Sequence, residues 1–234
     1  MGSTVIRRHR LSTRLWHAVN AVSIFVLIGS GLGISNAHPR LYWGAYGANF
    51  DHAWATLPRF PAWITAPASY NLAISRRWHL FFALVLAFSL LAYLIVALAN
   101  RHIARDLRVR RRDVAPRHLM ADLRAHWALR FHDPEAPGEY NVLQKLSYVA
   151  ILFGALPLVI LTGLALSPGM DAAWPWLLDL FGGRQSARSL HVIAMAVIAA
   201  FTVVHLAMVI LAGPWNELRS IVTGRWQVPG KVPQ

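Results

Sequence analysis

Four apolar stretches divide the 234-residue chain, roughly Leu15 to Ser35, Trp78 to Ala99, Leu143 to Leu166 and Arg188 to Ala212. A helix needs about 20 residues to cross ~30 Å of hydrocarbon, and each stretch has that length. Lipid offers the backbone no hydrogen-bond partner, so a segment that crosses must be a helix or part of a closed barrel. Runs this long and this free of charge read as helices. The expected fold is all-α: an integral membrane four-helix bundle, one transmembrane domain over residues 1–234, with spans at 15–35, 78–99, 143–166 and 188–212.

Composition agrees. Only 14% of the residues are charged and 56% are apolar, with a mean hydropathy of +0.41, whereas a soluble domain carries about 25% charged residues. The absence of cysteine excludes disulfides, thiolate zinc sites, iron–sulfur clusters and covalently attached c-type haem. The net charge of +13 is read as loop arginine rather than as a nucleic-acid surface, and no nucleic-acid partner is expected. Of the 23 Lys and Arg residues, 17 lie in the N-terminal segment, the loop between spans two and three, and the C-terminal tail. The positive-inside rule then puts both termini and that loop in the cytoplasm. The basic N-terminus lacks a small-residue cleavage site and is read as leading into an uncleaved first helix. Arg110, Arg111 and Arg112 suit contact with anionic membrane lipid.

The first outer loop, Asn36 to Arg77, is long and aromatic, with Tyr42, Trp43, Tyr46, Trp54 and Trp63. Such a composition argues against disorder. The loop is expected to lie on the membrane surface, or to cover a cofactor and meet a partner. Pro157 should kink span three, and Gly29, Gly31 and Gly33 should let helices approach closely.

Ionisable residues inside spans are functional by default. Those at issue are His17, His79, His191 and His205. With the orientation above, His17 lies near the inner face, His79 and His191 near the outer face, and His205 towards the inner side. His191 and His205 are 14 residues apart, a rise of about 21 Å and nearly four turns, so both leave one face of one helix. Two cross-helix pairs result, His17 with His205 and His79 with His191. Two facing imidazoles without a carboxylate or thiolate suit the axial positions of six-coordinate haem iron in a bundle core; zinc would want further ligands. The expected metal ligands are therefore His17, His79, His191 and His205, holding two b-type haems. Gly29, Gly31, Ala194 and Ala199 would leave room for porphyrin faces. Arg14, Arg76, Arg77 and Arg188 flank these histidines and could pair with haem propionates; alternatively they are only span-flanking charges.

The stretches RLWHAVNA (Arg14 to Ala21), RRWHL (Arg76 to Leu80), YNVLQKLSY (Tyr140 to Tyr148), PLVILTGLALSP (Pro157 to Pro168) and SLHVIAMAVIAAFTVVHL (Ser189 to Leu206) resemble the prokaryotic di-haem cytochrome b family. This b561-like group includes the cytochrome b subunits of formate dehydrogenase, nickel–iron hydrogenase and thiosulfate reductase. The resemblance covers nearly the whole chain. It implies a bacterial inner-membrane protein that exchanges electrons between quinone and a catalytic partner. It also implies a quinone site near the inner haem, on Tyr140, Asn141, Gln144 and Lys145. Leu143 departs from the formate dehydrogenase members, which have glycine there. These residues could instead form a plain interfacial start to span three. The long first loop resembles the thiosulfate reductase branch, implying an extracytoplasmic molybdopterin enzyme as the first choice of partner and a hydrogenase-like redox subunit as the other.

The resulting expectation is a wire of two haems running from a quinone to an extracytoplasmic redox subunit, or the reverse. Two alternatives remain: a stand-alone b561-type oxidoreductase that couples quinone to a small molecule such as superoxide, and a haem-free membrane anchor.

Overall fold

The computed structural model describes residues 5–48, 50–101, 109, 114–128 and 141–228. Tyr140 and the triplet Arg110, Arg111 and Arg112 lie outside the described residues. The chain is mostly helical, and among the described residues four helical stretches are long and apolar enough to cross a membrane. They are α1 (Leu11–Ala37), α2 (Leu72–Ala99), the stretch Val142–Leu166, and α8 (Arg184–Leu211). Three begin several residues earlier than hydropathy alone marks, because their first turns are polar (Ser12, Ser75 and Gln185).

The third stretch is not one regular helix. It consists of α4 (Val142–Ala150), a π-helical turn over Ile151–Ala155 and α5 (Leu156–Leu166). Pro157 has no N–H, and its ring would collide with the carbonyl four residues back, that of Phe153. Widening the turn before the proline removes that collision, so the kink expected at Pro157 takes the form of a π-bulge.

Burial along the helices is inverted relative to a soluble protein. Small and hydroxyl-bearing residues are fully buried, among them Ser23, Ser30, Ser75, Thr162, Ala187 and Ser189, while Phe25, Phe81, Phe88, Val203 and Ile210 are exposed. In lipid, helices gain nothing by hiding large apolar side chains from water, so small residues that permit close packing occupy the contacts. At Gly33 a Cβ would stand 2.6 Å from Ser75 Oγ; glycine there allows α1 and α2 to touch. Several of the buried hydroxyls bond within their own helix, Ser23 donating to the Val19 carbonyl at 2.8 Å and Ser30 to the Val26 carbonyl at 2.7 Å.

Contacts divide the chain into two compact units. One comprises Met1–Ala18, Leu90–Ile151 and Phe201–Gln234, the other Val19–Ser89 and Leu152–Ala200.

In the first unit the two ends of the described chain pair as strands. Strand β1 (Val5–Arg7) runs antiparallel to β4 (Arg225–Gln227), with Ile6 opposite Trp226. Trp226 is fully buried. Its Nε1 donates to Glu217 Oε1 at 3.0 Å, and Arg8 bridges to Glu217 Oε2 at 3.1 Å while lying 5.0 Å above the indole. Glu217 belongs to α9 (Pro214–Thr223). The unit also holds α3 (Pro116–Trp127), whose Asp122 accepts from the Val142 N–H at 3.0 Å. Strands of three residues carry too little pattern to be read from sequence, and neither was expected.

The second unit contains the first loop, which is ordered by its attachment to α8. Strands β2 (Arg40–Leu41) and β3 (Ala55–Thr56) form a small hairpin. The Gly44 carbonyl accepts from the N–H groups of Gln185 and Ser186 at 3.0 and 3.1 Å, satisfying donors that a helix start leaves free. Ser186 Oγ accepts in return from the Gly44 N–H at 2.7 Å. Ser189 Oγ donates to the Tyr42 carbonyl at 2.6 Å and accepts from Trp54 Nε1 at 2.9 Å. Short helices α6 (Pro168–Ala173) and α7 (Trp176–Leu180) follow α5. A small core of Ala165, Leu177 and Ala187 closes α5, α7 and α8 together.

Candidate haem-binding site

The four span histidines form two ring pairs. In the first unit His17 on α1 meets His205 on α8, ring centroids 6.3 Å apart with planes at 57°. In the second, His79 on α2 meets His191 on α8 at 6.1 Å and 62°. All four are half-buried.

These separations can be compared with what a bridging metal would need. A metal–imidazole bond is about 2 Å, so two nitrogens on opposite sides of one ion stand about 4 Å apart. Each ring centre lies a little over ~1 Å behind its nitrogen, which sets the centroids at about 6 Å. Both pairs have that spacing. Among the described residues no group of three or more His, Cys, Asp or Glu is arranged to hold a metal ion. Each pair therefore offers two imidazoles, the number that an iron already held by a porphyrin still requires.

The surroundings of the His79–His191 pair decide which nitrogen faces inward. Ser30 Oγ lies 3.0 Å from His79 Nδ1, and Thr162 Oγ1 lies 3.0 Å from His191 Nδ1. Each hydroxyl has one proton. Ser30 gives it to the Val26 carbonyl at 2.7 Å and Thr162 gives it to the Leu158 carbonyl at 2.6 Å, so each oxygen accepts from its histidine. Both rings thus carry their proton on Nδ1 and keep a bare Nε2, the form that ligates metal.

Beside each hydroxyl stands a glycine that leaves the imidazole flank open. A Cβ on Gly31 would lie 3.6 Å from His79 Cε1, and one on Gly163 would lie 3.2 Å from His191 Cε1. Among the described residues only the His79 ring lies within 4 Å of the Gly31 position, whereas a Cβ on Gly29 would stand 2.9 Å from Ala66 Cβ, so the first loop takes the space expected there for a porphyrin. Ser30, Thr162 and Gly163 escaped the sequence reading. The recurrence of a hydroxyl residue followed by glycine, at Ser30–Gly31 and Thr162–Gly163, was the available signal.

The His17–His205 pair is set differently. Phe201 stacks on His205 at 5.7 Å and 12°, and Trp16, next to His17, stacks on Tyr93 at 4.2 Å. Among the described residues no hydrogen bond reaches either imidazole.

The remaining candidates divide. Arg14 donates through Nε to the Ile221 carbonyl at 3.3 Å and through a terminal nitrogen to the Val222 carbonyl, which ties it to the C-terminal end of α9. Arg188 donates to the His38 carbonyl. Arg76 and Arg77 are exposed and make no ion pair among the described residues. Asn141 caps α4: its Oδ1 accepts from the Gln144 N–H at 2.9 Å, and Gln144 Oε1 accepts from the Asn141 N–H at 3.3 Å. This capping box engages two of the polar groups read as quinone contacts. The Lys145 side chain is half-buried and forms no ion pair among the described residues.

Comparison with known proteins agrees with the geometry. The sequence model of the prokaryotic cytochrome b561 family matches residues 8–224. A protein of Azospira oryzae that carries the name protein-methionine-sulfoxide reductase subunit YedZ1 is 25% identical over 225 residues, covering 90% of this chain and 94% of that one. With a family match that takes in all four spans and both histidine pairs, this chain is a multi-pass membrane protein of haem b electron transfer, and it belongs to the prokaryotic cytochrome b561 family.

Proposed function

We propose that the protein carries electrons between the quinone pool of the bacterial cytoplasmic membrane and an extracytoplasmic redox subunit. In this reading its termini are cytoplasmic, and His17 with His205, and His79 with His191, each hold one b-type haem. The observation that carries the proposal is the pair of ring separations, 6.3 and 6.1 Å. Bound haem supplies a one-electron carrier whose potential the protein sets through axial ligands, hydrogen bonds and burial.

The chain's own residues do the rest. His17, His79, His191 and His205 would hold the two haems, and an iron so held would favour electron passage over binding of a small molecule. Arg76 and Arg77, exposed just before His79, are the cations open to pair with propionates. Quinone is taken at the start of the third span, where Lys145 is the candidate donor to a quinone carbonyl. Asn141 and Gln144 shape that end of the helix through the capping box.

The partner is proposed to be a molybdopterin oxidoreductase, and the name of the Azospira oryzae relative, a subunit of a protein-methionine-sulfoxide reductase, supports a partner that reduces methionine sulfoxide in protein. Electrons then run from quinol to partner. Quinol oxidation releases two electrons and two protons, and reduction of one sulfoxide to the thioether and water takes up the same number.

The test is haem stoichiometry in the purified full-length chain, by pyridine haemochrome, with redox titration to tell the haems apart. Two b haems per chain are expected, with His79→Ala and His205→Ala each removing a different one. Fewer than two haems in the wild type, or loss of the same haem in both variants, overturns the assignment.

A further inference from the structure

The support around the His79–His191 pair is built twice, on two different helices, with the same spacing. On α1, Ser30 supplies a hydroxyl and Gly31 an open flank; on α5, Thr162 and Gly163 do the same. Both hydroxyls are fully buried, and both stand 3.0 Å from an imidazole Nδ1. Each also lies close to the carbonyl three residues back, Ser30 Oγ 3.3 Å from Leu27 O and Thr162 Oγ1 3.2 Å from Val159 O. No such cradle surrounds His17 or His205 among the described residues.

Resting on the haem reading above, we propose that Ser30 and Thr162 are positioning residues of the His79–His191 site. They hold both rings in the Nδ1–H form before any cofactor arrives, and they lower the reduction potential of the haem held there. An N–H that donates to an oxygen leaves more electron density on the imidazole and makes its other nitrogen a stronger donor. A stronger axial donor stabilises ferric over ferrous iron; the couple involves one electron and no bond to hydrogen. Burial matters, because a hydroxyl reached by water would exchange partners and exert no fixed pull. The two sites thereby differ in kind: one is tuned by paired hydrogen bonds, the other by aromatic packing from Phe201. A chain whose sites have unequal potentials gives electron flow a preferred resting place.

The experiment uses the full-length chain purified with its cofactors in lipid nanodiscs. Haem count and both midpoint potentials are measured for the wild type, Ser30→Ala, Thr162→Val and the double variant. Ser30→Thr and Thr162→Ser are the conservative controls. The expected result is two haems throughout, with one midpoint moving to higher potential in the alanine and valine variants and moving further in the double variant. The other midpoint stays fixed, and the controls return the wild-type value. The haem that moves must be the one lost in His79→Ala, and its low-spin ferric EPR signal should shift as the ring is released. Should Ser30→Ala fail to insert, Ser30→Cys takes its place with the same rise expected, since sulfur is a weak acceptor.

Unchanged midpoints with both haems retained overturn this inference alone. So does movement of the haem that His205→Ala removes. A His79→Ala variant that keeps both haems instead overturns the ligand assignment on which the inference rests.

Discussion

Trp54 Nε1 donates to Ser189 Oγ across 2.9 Å, and Ser189 passes its own proton to the Tyr42 carbonyl at 2.6 Å. Ser189 is fully buried and stands two residues before His191 on α8. One hydroxyl thus fastens the residue that follows β2 and the residue that precedes β3 to the helix that carries a histidine of each pair. Ser189→Ala strands a buried carbonyl and an indole N–H, each costing about 1–3 kcal/mol when left without a partner. Thermal unfolding should show this loss, and hydrogen exchange should quicken over residues 40–56. Trp54→Phe, which removes only the donor, should cost less. Equal stability of Ser189→Ala and wild type would show that the hairpin is held elsewhere.

The first unit closes on a buried ion pair. Arg8 and Glu217 side chains are only 7% and 17% exposed, and Glu217 also accepts from Trp226. Removing one partner of such a pair costs roughly 3–5 kcal/mol, because the other charge is left buried. Each single variant, Arg8→Ala and Glu217→Ala, should therefore destabilise the chain, and the double variant should lose far less than the sum of the two. The readout is protease susceptibility at the β1–β4 ribbon in a double-mutant cycle. Strict additivity would show that the two charges are independent.

Glycine positions beside the imidazoles are graded by clearance. A methyl on Gly163 would meet His191 Cε1 at 3.2 Å, whereas one on Gly31 would meet His79 Cε1 at 3.6 Å, an ordinary contact. Gly163→Ala should push the His191 ring off its position and reduce haem content or broaden the α-band of the reduced spectrum. Gly31→Ala should change little unless a porphyrin edge occupies that flank. The reverse order of effects would contradict the arrangement.

His38, whose carbonyl accepts from Arg188, is held below its ordinary pKa by burial and then by the positive charges of Arg188 and Arg76. The folded chain therefore takes up this proton less readily than the unfolded chain. Stability is lost as pH falls below the ordinary histidine value of about 6.5. Between about pH 8 and pH 5 the wild type should lose more thermal stability than His38→Gln. An equal or smaller loss in the wild type would show that His38 takes no part.

What could be read from the residues in order follows from one-dimensional periods. Hydropathy located the four spans, because a bilayer demands a fixed helical length. Helical rise, with charge placing the ends, led His17 to His205 and His79 to His191, and matching stretches of residues led to the family. Proline chemistry marked Pro157 as an irregular position without saying that a π-bulge would absorb it. The tertiary structure alone decided what surrounds the rings. Ser30 meets His79 across 49 residues and Thr162 meets His191 across 29. It decided as well that Asn141 turns to its own helix start, that Gly29 yields to Ala66, and that Arg8 finds Glu217 across 209 residues. A hydroxyl or a guanidinium carries no period that names its partner. Its role is settled only when packing brings one donor and one acceptor within 3 Å or so and shuts water out.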